Sequence, residues 1–201
     1  MLKEKKPTQM RQQRKNEKPQ GSLKPQAPHG SAQPACPAAS RCGGCCWINR
    51  PYEEQLQAKA TAFRKRMEPY GKPEQIIGME NPRYYRNKVH AAFGEDKRRN
   101  PISGIYEEKS HRIVPIDSCL IENQKADEII VSVRGLLKSF KLRPYNEDTG
   151  YGLFRHVMVR TGHVTGQIMV VLVLSSPVMP SKNNFVKALL KLHPEITTVV
   201  L

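Results

Sequence analysis

The sequence predicts an α+β fold: a small mixed or antiparallel sheet with flanking helices and a cysteine cluster loop at its edge. Three observations indicate this fold. Segments with apolar residues at helical spacing alternate with short apolar segments typical of strands. Apolar residues are almost absent before position 36 and plentiful after it. Four of the five cysteines, at 36, 42, 45 and 46, lie close together where the apolar part begins.

Three segments have the apolar spacing of helices, at 52–68, 124–141 and 182–193. The first ends where Pro69 and Gly71 follow, because neither residue continues a helix well. Asn123 and Ser181 precede the second and third helices. Both are residue types that cap helix N-termini, and we expect each to cap its helix.

Short extended segments with apolar residues predict strands at 86–93, 102–106, 112–116, 154–161, 167–174 and 196–201. A polar turn at 96–100 joins the first two as a hairpin. The segment 167–174 is apolar on both faces, which is typical of a central strand. The last segment has no turn or polar terminus after it, so we expect that the sequence is truncated at 201.

The formal net charge is +15, which indicates a polyanionic partner, most often nucleic acid. Residues 1–35 carry eight basic residues against two acidic ones and no periodic apolar face. Such a segment cannot bury enough surface to offset its chain entropy, so we expect a disordered basic tail. The tail either adds non-specific attraction to phosphates or serves as a solubilising spacer.

No apolar stretch approaches the roughly 20 residues that a membrane-spanning helix requires; the longest runs over 168–174. The N-terminus has charge but lacks the apolar region of a secretory signal. We therefore expect a cytoplasmic protein without membrane contact. In that reducing compartment, cysteines indicate a metal site or catalysis rather than disulfides.

Four cysteines form a candidate ligand set for a metal: Cys36, Cys42, Cys45 and Cys119. Three thiolates from one loop and a remote fourth can close a tetrahedral site. Gly43 and Gly44 allow the backbone between two of them to turn tightly. The spacing leaves zinc and an iron–sulfur cluster both open. Ordinary buried cysteines are the alternative, and Cys46 is expected to point away from the site.

Basic and aromatic residues near position 86 are candidates for contact with nucleic acid. Arg86 and Lys88 alternate along a predicted strand, so both should project from one face. Tyr85 beside them offers a ring for stacking on an unpaired base. A solvated strand face is the alternative. Arg155 and Arg160 are weaker candidates, since strand parity puts them on different faces.

Four histidines carry no ligand pattern: His90, His111, His156 and His163. Their spacing matches no metal site, so we expect ordinary surface or half-buried residues.

Five motifs along the chain carry a family resemblance: Cys36-x5-Cys42-Gly43-Gly44-Cys45, Tyr52-x2-Gln55-Leu56-x2-Lys59, Tyr85-Arg86-Asn87-Lys88, Gly104-Ile105-Tyr106 and Ser110-His111-x-Ile113-Val114-x-Ile116-x2-Cys119. Together they closely resemble the iron–sulfur RNA uracil-5-methyltransferases, the family of the 23S rRNA (uracil-5-)-methyltransferases. The likeness covers residues 36–201, which would form the iron–sulfur and RNA-binding central domain, the N-terminal half of a family member.

The resemblance implies a [4Fe–4S] cluster held by Cys36, Cys42, Cys45 and Cys119, and S-adenosylmethionine as the methyl donor. It implies RNA as the partner, first 23S rRNA and second tRNA, with Arg86 and Lys88 as contacts. A cysteine of the family adds to C6 of a flipped-out uracil, which activates C5 toward the methyl group. A monomeric protein is expected.

The family's catalytic cysteine, its base and its S-adenosylmethionine pocket lie in a C-terminal Rossmann-like domain that this sequence stops before. No catalytic residue is therefore assigned, and the chain alone is expected to be inactive. Residues 53–82 are expected to pack against that missing domain. The rival hypotheses are a stand-alone zinc- or cluster-containing RNA-binding module without enzymatic activity, and a ribosome-associated structural protein.

Overall fold

Six strands form one mixed sheet in the computed structural model of the protein, which describes residues 36–201. They are β1 (Lys88–Glu95), β2 (Pro101–Tyr106), β3 (Ile113–Pro115), β4 (Phe154–Thr161), β5 (Ile168–Leu174) and β6 (Ile196–Val200). Their order across the sheet is β3-β2-β1-β4-β5-β6. Neighbouring strands are antiparallel except β5 and β6, which are parallel. The predicted basic tail lies outside the described residues.

Three helices accompany the sheet in this part of the chain: α1 (Tyr52–Met67), α2 (Gln124–Ser139) and α3 (Lys182–Leu192). The predicted combination of a mixed sheet with helices is therefore confirmed. None of the helices in residues 36–201 has the length and apolarity needed to cross a bilayer. The cytoplasmic location stays a prediction.

The hydrophobic core lies between one face of the sheet and helices α2 and α3. Inward-facing strand residues such as Val89, Val157 and Val170 are fully buried, following the two-residue period of a strand. Phe154 lies at the centre, with ring centroids 6.2 Å from Phe93 and 5.5 Å from Phe185. Each such buried side chain contributes about 1.5–3 kcal/mol relative to exposure.

The opposite face of the sheet is not covered by a helix of the described residues. We call it the open face and define it by six residues: Lys88, His90, Tyr106, His156, Met158 and Arg160. Lys88, His90 and Arg160 are exposed, and the other three are half-buried. A sheet with one buried and one exposed face is common among antiparallel folds.

The two predicted helix caps have opposite outcomes. Asn123 caps α2 as predicted, because its Oδ1 accepts hydrogen bonds from the backbone N–H groups of Lys125 and Ala126. The prediction for Ser181 was wrong: its side chain makes no capping hydrogen bond, and its φ is +54°. A capping side chain requires extended backbone at the cap position, and a left-handed residue turns its hydroxyl away from the helix.

Helix α1 buries little of its apolar stripe in the described part of the chain. Ala60 is its one buried residue, and Phe63 is 54% exposed. The segment after the helix returns along it, with Gly78 against Leu56 and the Met79 N–H donating to the Tyr52 hydroxyl at 2.8 Å. Helix α1 and this segment thus leave apolar side chains exposed on their surface.

Strands β2 and β3 approach so closely at Gly104 that no side chain fits there. A Cβ at this position would lie 1.9 Å from the carbonyl oxygen of Val114. We expect Gly104→Ala to lower the free energy of unfolding by about 1–3 kcal/mol, because a backbone must move to relieve the clash.

The matched control is Gly135→Ala on the exposed side of α2, where a Cβ meets no atom within 4 Å. Because alanine favours a helix over glycine, this change should raise stability by about 1 kcal/mol. Urea denaturation followed by circular dichroism measures both. Equal stability of the two variants would contradict the close approach of β2 and β3.

Candidate metal centre

The four cysteines of the predicted ligand set line one cavity of about 300 Å³. Cys36, Cys42 and Cys45 come from the loop before α1, and Cys119 comes from the segment between β3 and α2. Arg86 and Glu122 also line the cavity. The fold thus brings the remote fourth cysteine to the loop that carries the other three, while Cys46 is exposed.

Backbone contacts hold the cysteine loop against the end of β2. The N–H of Cys42 donates to the carbonyl of Ala38 at 2.8 Å, and that of Gly43 donates to the carbonyl of Tyr106 at 3.2 Å. A Cβ on Gly43 would lie 3.0 Å from the latter oxygen. The N–H of Gly44 points at the sulfur of Cys42, 3.3 Å away. Both glycines therefore permit close approaches, as their position in the sequence predicts.

Helix α2 fixes the position of Cys119. The N–H of this cysteine donates to Oδ2 of Asp127 at 2.8 Å, and Asp127 is buried in the first turn of the helix. Sequence reasoning missed Asp127. The available signal was a carboxylate in the first helical turn, one position from the apolar stripe that starts at Ala126.

Arg86 is a residue of this cavity, which differs from its predicted place on a strand face. It precedes β1, and its backbone N–H donates to the carbonyl of Ile121 at 2.9 Å. Its guanidinium donates to the carbonyl of Gly44 at 3.3 Å and lies 3.9 Å from the carboxylate of Glu122. Arg86 forms an isolated bridge with Glu122 ahead of the strand, which begins at Lys88, so the shared strand face of Arg86 and Lys88 stays a prediction.

The cavity disfavours negative charge on its own side chains. Burial raises the pKa of the Cys119 thiol to about 11. Burial, followed by the neighbouring Cys42 and Cys36, also raises the pKa of Cys45. The pKa of Glu122 rises to about 7, mainly through burial and then through nearby Asp127. A bound cation reverses this balance, since thiolates are the form that binds metals.

The donor atoms do not converge as a single-ion site requires. Within residues 36–201, no group of three or more His, Cys, Asp or Glu side chains is arranged around one metal ion. A zinc ion needs its four sulfurs at about 2.3 Å from a shared centre. An iron–sulfur cluster has several metal atoms, each bound by one cysteine, so its ligands surround a volume rather than a point.

Comparison with known proteins identifies relatives. An uncharacterized RNA methyltransferase of Listeria monocytogenes is 37% identical over 166 residues, covering 80% of this chain and 36% of that protein. Another from Clostridium acetobutylicum is 38% identical over 153 residues, covering 73% and 33%. No family model matches the chain.

This chain is also similar to a solved structure of an RNA methyltransferase. The tRNA (uracil-54, C5)-methyltransferase of Pyrococcus abyssi, in complex with S-adenosyl-L-homocysteine, matches with a TM-score of 0.57 and 26% identity. The match covers 75% of this chain and 35% of that one. The chain is thus similar, over its matched part, to curated RNA methyltransferases and to a uracil C5-methyltransferase of known structure.

The resemblance to RNA uracil-5-methyltransferases that the motifs predict is thus confirmed. The chain spans about a third of the length of the curated relatives that it matches.

Gly44 offers a test of the cavity as a metal centre. A Cβ there would lie 3.2 Å from the sulfur of Cys42, which must shift to accommodate it. We expect Gly44→Ala to weaken metal retention roughly tenfold, as disturbed supporting residues do at metal sites. Elemental analysis after dialysis against a chelator measures the loss, with Gly135→Ala as the control. Equal metal content in both variants would count against the assignment.

Proposed function

We propose that this chain is the RNA-binding and cluster-binding portion of an S-adenosylmethionine-dependent RNA methyltransferase that forms 5-methyluridine. The observation that carries the proposal is the cavity lined by four cysteines in a chain whose relatives are named RNA methyltransferases. The Pyrococcus neighbour supports the uracil C5 position and the cofactor, because it is a uracil C5 enzyme in complex with S-adenosyl-L-homocysteine.

The proposed occupant of the cavity is a [4Fe–4S] cluster rather than a zinc ion. Four cysteines line its volume of about 300 Å³, and a cluster of several metal atoms is bound by one cysteine at each iron. Cys36, Cys42, Cys45 and Cys119 would hold the cluster. When bound, it would join the cysteine loop to the segment before α2 as a structural cross-link.

Two polar residues support these ligands from outside the thiol set. Asp127 fixes the backbone of Cys119, and Arg86 holds the carbonyl of Gly44 in the cysteine loop. Such supporting contacts orient ligands and are worth about 10–100-fold in metal affinity. We therefore assign Arg86 first to the loop, since its guanidinium faces the cavity.

For RNA contact we propose Lys88 and Tyr85, both of which are exposed. A lysine on a strand attracts phosphates, and a tyrosine ring stacks on an unpaired base. The resemblance favours 23S rRNA as the substrate. The alternative substrate is tRNA, because the Pyrococcus neighbour is a tRNA methyltransferase.

The surface of residues 53–82 is proposed to pack on the part of the relatives that lies beyond the match. Phe63, Ile77 and Met79 are exposed there, and a groove of about 700 Å³ runs between α1 and residues 73–76. Exposed apolar patches of this kind mark interfaces. The proposal assigns the catalytic cysteine, the base and the S-adenosylmethionine pocket to that remaining part.

Elemental analysis tests the cluster. Protein purified without oxygen should be brown and contain about four irons and four sulfides per chain. Cys119→Ser should lose them, because it removes the remote ligand, whereas Cys46→Ser should retain them. Colourless protein with one zinc would instead favour the stand-alone zinc module.

A methyl-transfer assay tests whether this chain needs the remaining part of its relatives for activity. With labelled S-adenosylmethionine and rRNA or tRNA, this chain alone should incorporate no methyl group. The full-length Listeria relative should methylate C5 of a uridine, which nuclease digestion and mass spectrometry identify. Incorporation by the chain alone would refute the assignment of catalysis to the remaining part. Methylation at another atom would refute the uracil C5 assignment.

A further inference from the structure

The fold gathers three histidines around Tyr106 on the open face of the sheet. The Tyr106 hydroxyl lies 3.4 Å from Nε2 of His156, and the two ring centroids are 6.2 Å apart. The ring of His111 lies 6.1 Å from that of Tyr106. His90 lies two residues along β1 from Ala92, which is the register partner of His156. These rings line a groove of about 620 Å³ that the sequence did not indicate.

Two cations lie side by side at the other end of the open face. Lys88 on β1 and Arg160 on β4 are direct register partners, and both are exposed. Neither forms an ion pair with an acidic residue of the described chain. By contrast, Arg155 pairs with Glu147 at 2.9 Å. Like charges opposite each other on a sheet are destabilising, and an anion between them relieves the repulsion.

The cations and the rings form one continuous track. Lys88, His90 and Ala92 alternate along β1, so the track extends about 13 Å from the cation pair to the row of His156. Met158, the register partner of His90, lies between the two ends. The order along the face is therefore charge, then imidazole and thioether, then imidazole and phenol.

We propose that the open face binds a short single-stranded segment of the RNA substrate. Its phosphates would lie on Lys88 and Arg160, and an unpaired base would stack on the ring of Tyr106. The same base would meet His156 edge-on, because the two rings are inclined at 72°. Stacking requires a free base face, which single strands present and duplexes do not. This inference rests on the proposed function in taking RNA as the partner, and it adds a binding surface separate from the cysteine cavity.

The state of the imidazoles is compatible with stacking. Burial, followed by the nearby Arg155, lowers the pKa of His156. Burial, followed by Lys88, lowers the pKa of His90. Both rings are therefore neutral at neutral pH, when they offer a flat surface and a hydrogen-bonding nitrogen. The phosphate contacts fall instead to the two permanent cations.

Fluorescence anisotropy with a labelled oligouridine of 12 nucleotides tests the proposal. Arg160→Ala should weaken binding roughly fivefold and lower the salt dependence by about one ion, because it removes one phosphate contact. The matched control is Lys187→Ala on α3, which removes the same charge from the opposite side of the sheet. It should leave binding unchanged.

Tyr106→Leu keeps an apolar side chain and removes the ring. It should weaken binding roughly tenfold without changing the salt dependence, since stacking carries no charge. Thermal unfolding by circular dichroism shows whether each variant is folded. Tyr106→Phe provides a second variant, which retains the ring and should keep most of the affinity. The wild-type chain should also prefer the single strand over a duplex of equal length.

The outcomes separate this inference from the proposed function. If the chain binds RNA but Arg160→Ala matches Lys187→Ala and Tyr106→Leu has no effect, the open face is not the RNA site and only this inference falls. A preference for duplex RNA overturns it as well. If the chain binds neither single-stranded nor duplex RNA, the proposed RNA-binding role falls with it.

Discussion

The burial of α2 across the inner face of the sheet is the constraint on which both the core and the cysteine cavity depend. Ile129, Val133 and Leu137 anchor the helix in the core. The same anchoring sets the position of its first turn, where Asp127 receives the N–H of Cys119. The hydrophobic packing of α2 thus also positions the Cys119 thiol in the cavity. A change that loosens this packing would displace Cys119 through its hydrogen bond to Asp127.

Local sequence patterns were sufficient to predict most of the helices and strands. The periodicities predicted three helices and the strands, and Asn123 caps α2 because its capping bonds are local. The prediction that Ser181 caps α3 was wrong because the backbone of Ser181 is left-handed. Residue type alone could not reveal it.

The candidate site was predictable only in its thiols. The spacing of Cys36, Cys42 and Cys45 is visible in the sequence, but the support from Asp127 and Arg86 depends on contacts between distant segments. The strand parity that related Arg86 to Lys88 assumed a strand that begins at residue 86, whereas β1 begins at Lys88. The grouping of histidines around Tyr106 arises from strand order, which spacing along the chain does not encode.

The two edges of the sheet differ in their capacity for self-association. The edge strand β3 has three residues and offers little backbone for pairing. The edge strand β6 has five, and Val200 on it is 41% exposed. An exposed edge with free N–H and C=O groups is a template for adding another strand. At high concentration, β6 is therefore one edge through which copies of this chain would pair, and a charged residue at position 200 would limit that pairing.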